Sequence, residues 1–265
     1  MAKKHGAAAF GRDSATEEKP AEKKQGKSGG GLWATVRSIG PAILVALAIR
    51  AFLFEPFSIP SGSMLPTLQI GDYVVVTKFA YGVRIPFSNR LAWERKLPAR
   101  GDVIVFDHPR RTGDDLIKRV VGLPGDVIRL EDSVVYVNDV AQDRRLLEED
   151  FAFDDYSEGL RRWIPSHGDL YVETLTRRDG GTHRNFVIEQ VEREPPEGPF
   201  RVPEGHVFVM GDNRDNSADS RRDGTWYVPV GHIRGRADVI GFSWGQDGFR
   251  GDRFFRSIDG GVPGA

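Results

Sequence analysis

The sequence predicts a mainly β protein with an inserted smaller lobe, preceded by one N-terminal transmembrane helix. Three observations carry this. After Phe54 the apolar residues fall into short runs between Gly, Pro and Asp turns. No long 3.6-residue periodicity appears after residue 56. Leu32 to Phe54 is the one long apolar run.

Residues 1–31 are rich in Lys, Ala, Gly and Glu and end in Gly29-Gly30-Gly31, the composition of a disordered tail. In the apolar run, Ser38 to Ile49 is free of charge, Arg37 and Arg50 flank it and Pro41 interrupts it. A membrane span needs about 20 apolar residues, so residues 32–54 qualify only with both ends included. A cleaved secretory signal is a second reading, because Ala46-Leu47-Ala48 has the small residues of a cleavage site. A buried or interfacial helix is a third. The run continues through Ile49 to Phe54, which favours the anchor. Orientation then follows from the Lys-rich tail, which stays cytoplasmic and puts everything after Phe54 across the membrane.

The expected strands are Tyr73–Thr77, Val103–Phe106, Leu116–Val121, Val207–Met210 and Val239–Phe242. Val127–Leu130 and Val134–Val137 form a hairpin turning at Glu131-Asp132-Ser133. Residues 55–137 and 204–245 make one β domain. Residues 138–203 are more charged and less β-patterned, with Arg144-Arg145, Arg161-Arg162, Arg177-Arg178 and Pro195-Pro196, and read as the inserted lobe. Residues 246–265 are rich in Gly, Asp and Arg and read as a loosely held tail.

The chain has 265 residues, a formal charge of −1 and a hydrophobic fraction of 39%, enough for a packed core. That balance gives no reason to expect a nucleic-acid partner. It has no cysteine, which excludes disulfides, thiolate nucleophiles and Cys-ligated zinc. The histidines, at 5, 108, 167, 183, 206 and 232, show no His-x-x-x-His spacing, and no Gly-x-Ser-x-Gly elbow accompanies them. No metal or cofactor is expected. A Ser/His/Asp triad stays open but nothing supports it. His108 beside Asp107 reads as a strand-end pair.

Three segments carry chemistry: Pro60-Ser61-Gly62-Ser63-Met64-Leu65, the stretch Asp115 to Asp126, and Gly211-Asp212-Asn213-Arg214-Asp215-Asn216-Ser217-Ala218-Asp219-Ser220-Arg221. The first puts a hydroxyl in an extended, Pro-bracketed stretch. A serine attacks an amide only if a base takes its proton. Lysine can be that base if its pKa falls by roughly three units from about 10.4, which burial in apolar surroundings achieves. On the strand Leu116–Val121, alternation puts Lys118 on one face with Leu116 and Val120. A solvated strand would place a lysine on its polar face.

Taken together and in this order, the three segments closely resemble the bacterial type I signal peptidases, membrane-bound Ser/Lys proteases that remove signal peptides from exported proteins. The resemblance covers most of Glu55 to Trp244 outside the insertion. It implies a signal-peptidase-type β catalytic domain. It implies Ser63 as nucleophile, Lys118 as general base, and Ser61 and the Ser63 N–H as donors to the oxyanion. It makes Ser217 the residue that orients the lysine amine, and Asp219 and Arg221 an ion pair behind the site. Some members have two apolar segments where this chain has one. The implied partners are signal peptides of preproteins leaving the translocation machinery, and membrane lipid. No cofactor is implied.

Such substrates carry small residues at the first and third positions before the scissile bond. An extended peptide points these two the same way. Two segments are expected to hold it by strand addition: Phe57 to Ser61, including Ile59 and Pro60, and Asp115 to Ile117. Ile59 and Ile117 are expected to line the pockets. Two rival readings are a self-cleaving Ser/Lys peptidase of related fold and a non-catalytic, membrane-tethered β scaffold that binds secreted chains.

Overall fold

The computed structural model describes residues 31–84, 91–94, 96–111, 113–157, 159–160, 162–190, 197–222 and 224–259. The expected tail at 1–30, Pro195-Pro196 and residues 260–265 lie outside the described residues. The chain divides into two compact units, with the division between Ile43 and Leu44. All strands belong to the second.

One helix, α1 (Gly31–Phe52), covers the apolar run. Among the described residues no helix is long and apolar enough to cross a membrane. The strands follow as β1 (Phe54–Ser58), β2 (Asp72–Thr77), β3 (Gly82–Arg84), β4 (Leu91–Glu94), β5 (Val103–Asp107) and β6 (Asp115–Gly122). Then come β7 (Val127–Glu131), β8 (Val134–Val137), β9 (Val140–Ala141), β10 (Asp143–Ser157), β11 (Arg162–Thr176) and β12 (Thr182–Glu189). The last are β13 (Glu197–Arg201), β14 (His206–Met210), β15 (Val228–Pro229), β16 (Ile233–Gly245), β17 (Gly248–Phe249) and β18 (Arg256–Ser257).

The main sheet has the order β1-β2-β16-β5-β6-β14-β15, with β17 and β18 on β16. Its centre is buried on both faces, which is why Val103-Ile104-Val105-Phe106 is apolar without a break. Val103 and Val105 join one core with Ile59, Met64, Val74, Ile117 and Ile240. Ile104 and Phe106 join the other with Val120, Val207, Val209 and Trp226. Each such side chain, fully buried, contributes about 1.5–3 kcal/mol of transfer free energy.

Residues 127–137 pair outside the main sheet but pack on it: Ile128, Leu130, Val135 and Val137 share a core with Val121, Phe208 and Met210. β7, β8, β9 and β13 form their own four-stranded sheet, and β10, β11 and β12 a three-stranded one. The Asp132-Ser133 turn has φ of 48° and 63°, the left-handed pair of a two-residue hairpin. Two long strands, β10 and β11, fill the region expected to be poor in β structure. β10 is mostly exposed along its length, so no apolar alternation marks it.

The expected loose tail is tied down as far as it is described. β17 and β18 pair with β16, and Ile258 enters the core. Arg253, 1% exposed, donates to Asp72 through Nε at 3.0 Å and Nη2 at 2.5 Å. Pairing, with a further bond from Arg253 to the Thr67 carbonyl, offsets part of the cost of burying the two charges, so a polar segment can still be held against the core.

Candidate active site

Ser63 lies in a one-turn 3₁₀ segment, Gly62–Met64, directly after β1. Met64 and Ile59 are 0% and 1% exposed, and their burial on either side fixes the turn that presents Ser63. Lys118 is the fourth residue of β6. Its neighbour Ile117 packs with Ile59 and Met64 in the same core. Alternation then directs Lys118 the other way. Lys118 Nζ lies 2.6 Å from Ser63 Oγ and donates to the Ile117 carbonyl at 2.9 Å.

Both side chains are buried, Lys118 at 3% and Ser63 at 8% exposure. Burial lowers the Lys118 pKa to about 8, against the pull of the Asp219 and Asp212 carboxylates, which favour the ammonium form. About one-tenth of the amine is therefore neutral at pH 7, far more than for a free lysine. A lone pair 2.6 Å from a hydroxyl oxygen is within reach to take its proton.

The Gly211–Arg221 loop closes round this pair. Asn213 donates its backbone N–H to the Ser63 carbonyl at 3.2 Å and its side-chain amide to the Gly62 carbonyl at 3.1 Å. A Cβ on Gly211 would lie 2.2 Å from Ser217 Oγ and 2.5 Å from the Ser63 carbonyl, so only glycine fits there. Asp219 and Arg221 pair through two 3.0 Å bonds, and Asp219 also accepts from the Gly211 N–H. These contacts hold the Asp219 carboxyl below its usual range, despite burial.

A cavity of about 580 Å³ opens over the pair, lined by Ser61, Ser63, Leu116 and Lys118 on one wall. Ser61 is exposed to it, in an extended conformation. Pro60 is exposed as well.

Several expectations change. Ser217 does not hold the amine. Its Oγ is buried without a hydrogen-bond partner, and the amine's bonds go to Ser63 and Ile117. Ile59 and Ile117 are core residues, not pocket walls. Leu116, on the lysine's own face, lines the cavity with Ile164 and Ala218, and the period of two already marked it. Asp115 is engaged by its side chain, with Oδ1 2.9 Å from Arg234 Nε and Asp107 as its cross-strand neighbour. Asp107 pairs with Arg234. His108 Nδ1 accepts the N–H groups of Arg110 and Arg111. His183 packs on Arg119, and burial with that cation lowers its pKa to about 4.

Sequence reasoning missed Asn213, and it missed the pairs Arg119–Asp212 and Arg214–Glu173. In the latter, Arg214 grips Glu173 of β11 at 2.9 and 2.5 Å, tying the loop to the inserted lobe. Only the position of Arg119 and Asp212 inside the two motifs hinted at them.

The open edges of the two expected substrate segments are present. β1 is at the edge of its sheet. β6 pairs with β14 over Arg119–Gly122, beyond Asp115–Ile117. A hydroxyl apposed to a desolvated amine is a nucleophile–base arrangement, and Ser-Lys pairs are one variant of it. The class is that of a serine peptidase, a hydrolase.

The model of the family described as signal peptidase, peptidase S26, matches residues 32–242, and the chain belongs to this family. Signal peptidase I of Pseudomonas fluorescens is 39% identical over 219 residues, covering 78% of this chain and 72% of that protein. Signal peptidase I of Pseudomonas aeruginosa is 37% identical with the same coverage. A solved signal peptidase I from Enterococcus faecalis V583 is 28% identical and covers 53% of this chain and 97% of its own, with a TM-score of 0.29. That fit is too loose to carry an argument.

Proposed function

We propose that this chain is a membrane-anchored endopeptidase that removes signal peptides from exported preproteins, with Ser63 as nucleophile and Lys118 as general base. The observation that carries the reading is the 2.6 Å contact between two buried groups, Lys118 Nζ and Ser63 Oγ. The relatives named signal peptidase I support the substrate class.

In this mechanism the neutral Lys118 amine takes the Ser63 proton as Oγ attacks the scissile carbonyl. Its bond to the Ile117 carbonyl engages an N–H and leaves the lone pair for Ser63. The oxyanion is met by the Ser63 N–H and the Ser61 hydroxyl. The Lys118 ammonium then protonates the leaving amine, and the mature protein departs. Water, deprotonated by Lys118, hydrolyses the acyl-enzyme and regenerates both groups. The open edges of β1 and β6 hold the substrate as an added strand, and the Leu116 side of the cavity receives its small residues.

α1 is the proposed anchor. Its 22 residues rise about 33 Å, but its charge-free stretch, Ser38–Ile49, is shorter than a span, so in this reading the flanking residues, with Arg37 and Arg50 reaching the interface, complete it. Val36, Ile39, Ile43, Leu44 and Val45 are each at least half exposed, an apolar surface that lipid would cover. The catalytic unit then lies on the extracytoplasmic side, with the N-terminus cytoplasmic. Membrane lipid and translocated preproteins are the proposed partners.

The test is cleavage of a purified preprotein by the full chain in lipid vesicles, beside Ser63→Ala. Release of mature protein at the signal-peptide boundary by the parent alone supports the reading. Binding without cleavage would leave the scaffold, and cleavage of its own chain alone would leave the self-processing peptidase.

A further inference from the structure

β10 and β11 run on past their third strand. β12 pairs with β11 only over Asp169–Thr176, while β10 stays paired with β11 as far as Ser157 and Arg162. Phe151–Ser157 and Arg162–Gly168 are therefore a two-stranded ribbon, an element that is marginal on its own. At its base the register slips twice between Leu146 and Phe151, and Asp150 has φ of 52°. Such irregularities are where a ribbon bends.

The ribbon roofs the site. Asp155, Tyr156 and Ile164 line the cavity that holds Ser63 and Lys118. Their chain neighbours Phe153, Asp154 and Trp163 line a second cavity of about 280 Å³, whose floor includes Leu65, two residues after Ser63. Between the two cavities the ribbon touches down at Asp155. Its Oδ2 accepts from Asn216 Nδ2 at 2.6 Å. Its Oδ1 lies so close to Gly62 that a Cβ there would stand 2.2 Å away. Gly62 joins Ser61 to Ser63, so the Asp155 carboxylate abuts the backbone that carries the nucleophile. A chain lying extended through the nucleophile would meet this contact.

We infer that the ribbon is a lid over the substrate groove, that Asp155 is its latch, and that the second cavity continues the groove for polypeptide beyond the scissile bond. The inference rests on the proposed reading of Ser63 and Lys118. Asn216 is exposed, and a polar contact at that position is weak enough to open when substrate binds.

Two peptides test this. A short one ends in a fluorogenic leaving group at the scissile bond. A long one continues several residues beyond it. A closed lid reduces apparent affinity by the fraction of molecules that are open. Asp155→Ala and Asn216→Ala should therefore raise kcat/KM for the long peptide by about threefold or more, while the short peptide changes less. An equal change on both peptides, or no gain on the long one, overturns the lid. If the parent chain cleaves neither peptide, the catalytic reading fails instead.

Discussion

Arg119 grips Asp212 with both arms of its guanidinium, Nε to Oδ1 at 2.8 Å and Nη2 to Oδ2 at 2.6 Å, with both residues 1% exposed. One residue is next to Lys118 and the other heads the loop that bonds the Ser63 turn. The pair thus locks the Lys118 strand to the loop that bonds the Ser63 turn.

Removing one partner of a buried pair leaves the other charge uncompensated. Asp212→Ala should lower stability by about 3–5 kcal/mol in denaturant unfolding. A loss within the range of an exposed pair would mean that Arg119 finds water or another acceptor.

Ser61→Ala should keep the fold and lose activity mainly in kcat, by about 10²–10³-fold, because the oxyanion exists only after attack. Steady-state kinetics on a peptide checks this. A rise confined to KM would make Ser61 a substrate-binding residue.

The pH dependence of acylation follows from Lys118. Burial lowers its pKa to about 8, and only the neutral amine accepts a proton. The rate should rise with pH through about 8 and level off above. A midpoint well below that, in the ordinary histidine range, would point to another base.

Asp115 gives a pH signature in stability. Burial, with the Asp107 carboxylate, raises its pKa from 3.8 to about 6 against the opposing Arg234 cation. Stabilisation from its protonated form is complete below about 3.8 and is lost as pH rises through about 6. Asp115→Asn should therefore melt above the parent at alkaline pH, with the gain shrinking as pH falls through that range. A constant difference across pH would show that Asp115 does not titrate there.

Much of the site was legible because it is local. Lys118 declared itself by sharing a strand face with Leu116 and Val120, and Val103–Phe106 of β5 is apolar because both faces are buried. What was hidden depends on distance or on solvent. Arg119 and Asp212 are 93 positions apart, and Arg253 and Asp72 are 181 apart. No local pattern encodes such pairs. β10 is largely solvated, so charge replaces alternation and its extended form leaves no periodic trace.

The central claim is that Lys118 takes the proton of Ser63, and the rate of Ser63 acylation in Lys118→Arg tests it most directly. Arginine keeps the charge and much of the bulk but does not deprotonate. The account predicts a fall of at least about 10²-fold in a protein that still folds, the scale of a lost general base. Acylation of Lys118→Arg at a rate near that of the parent would contradict it.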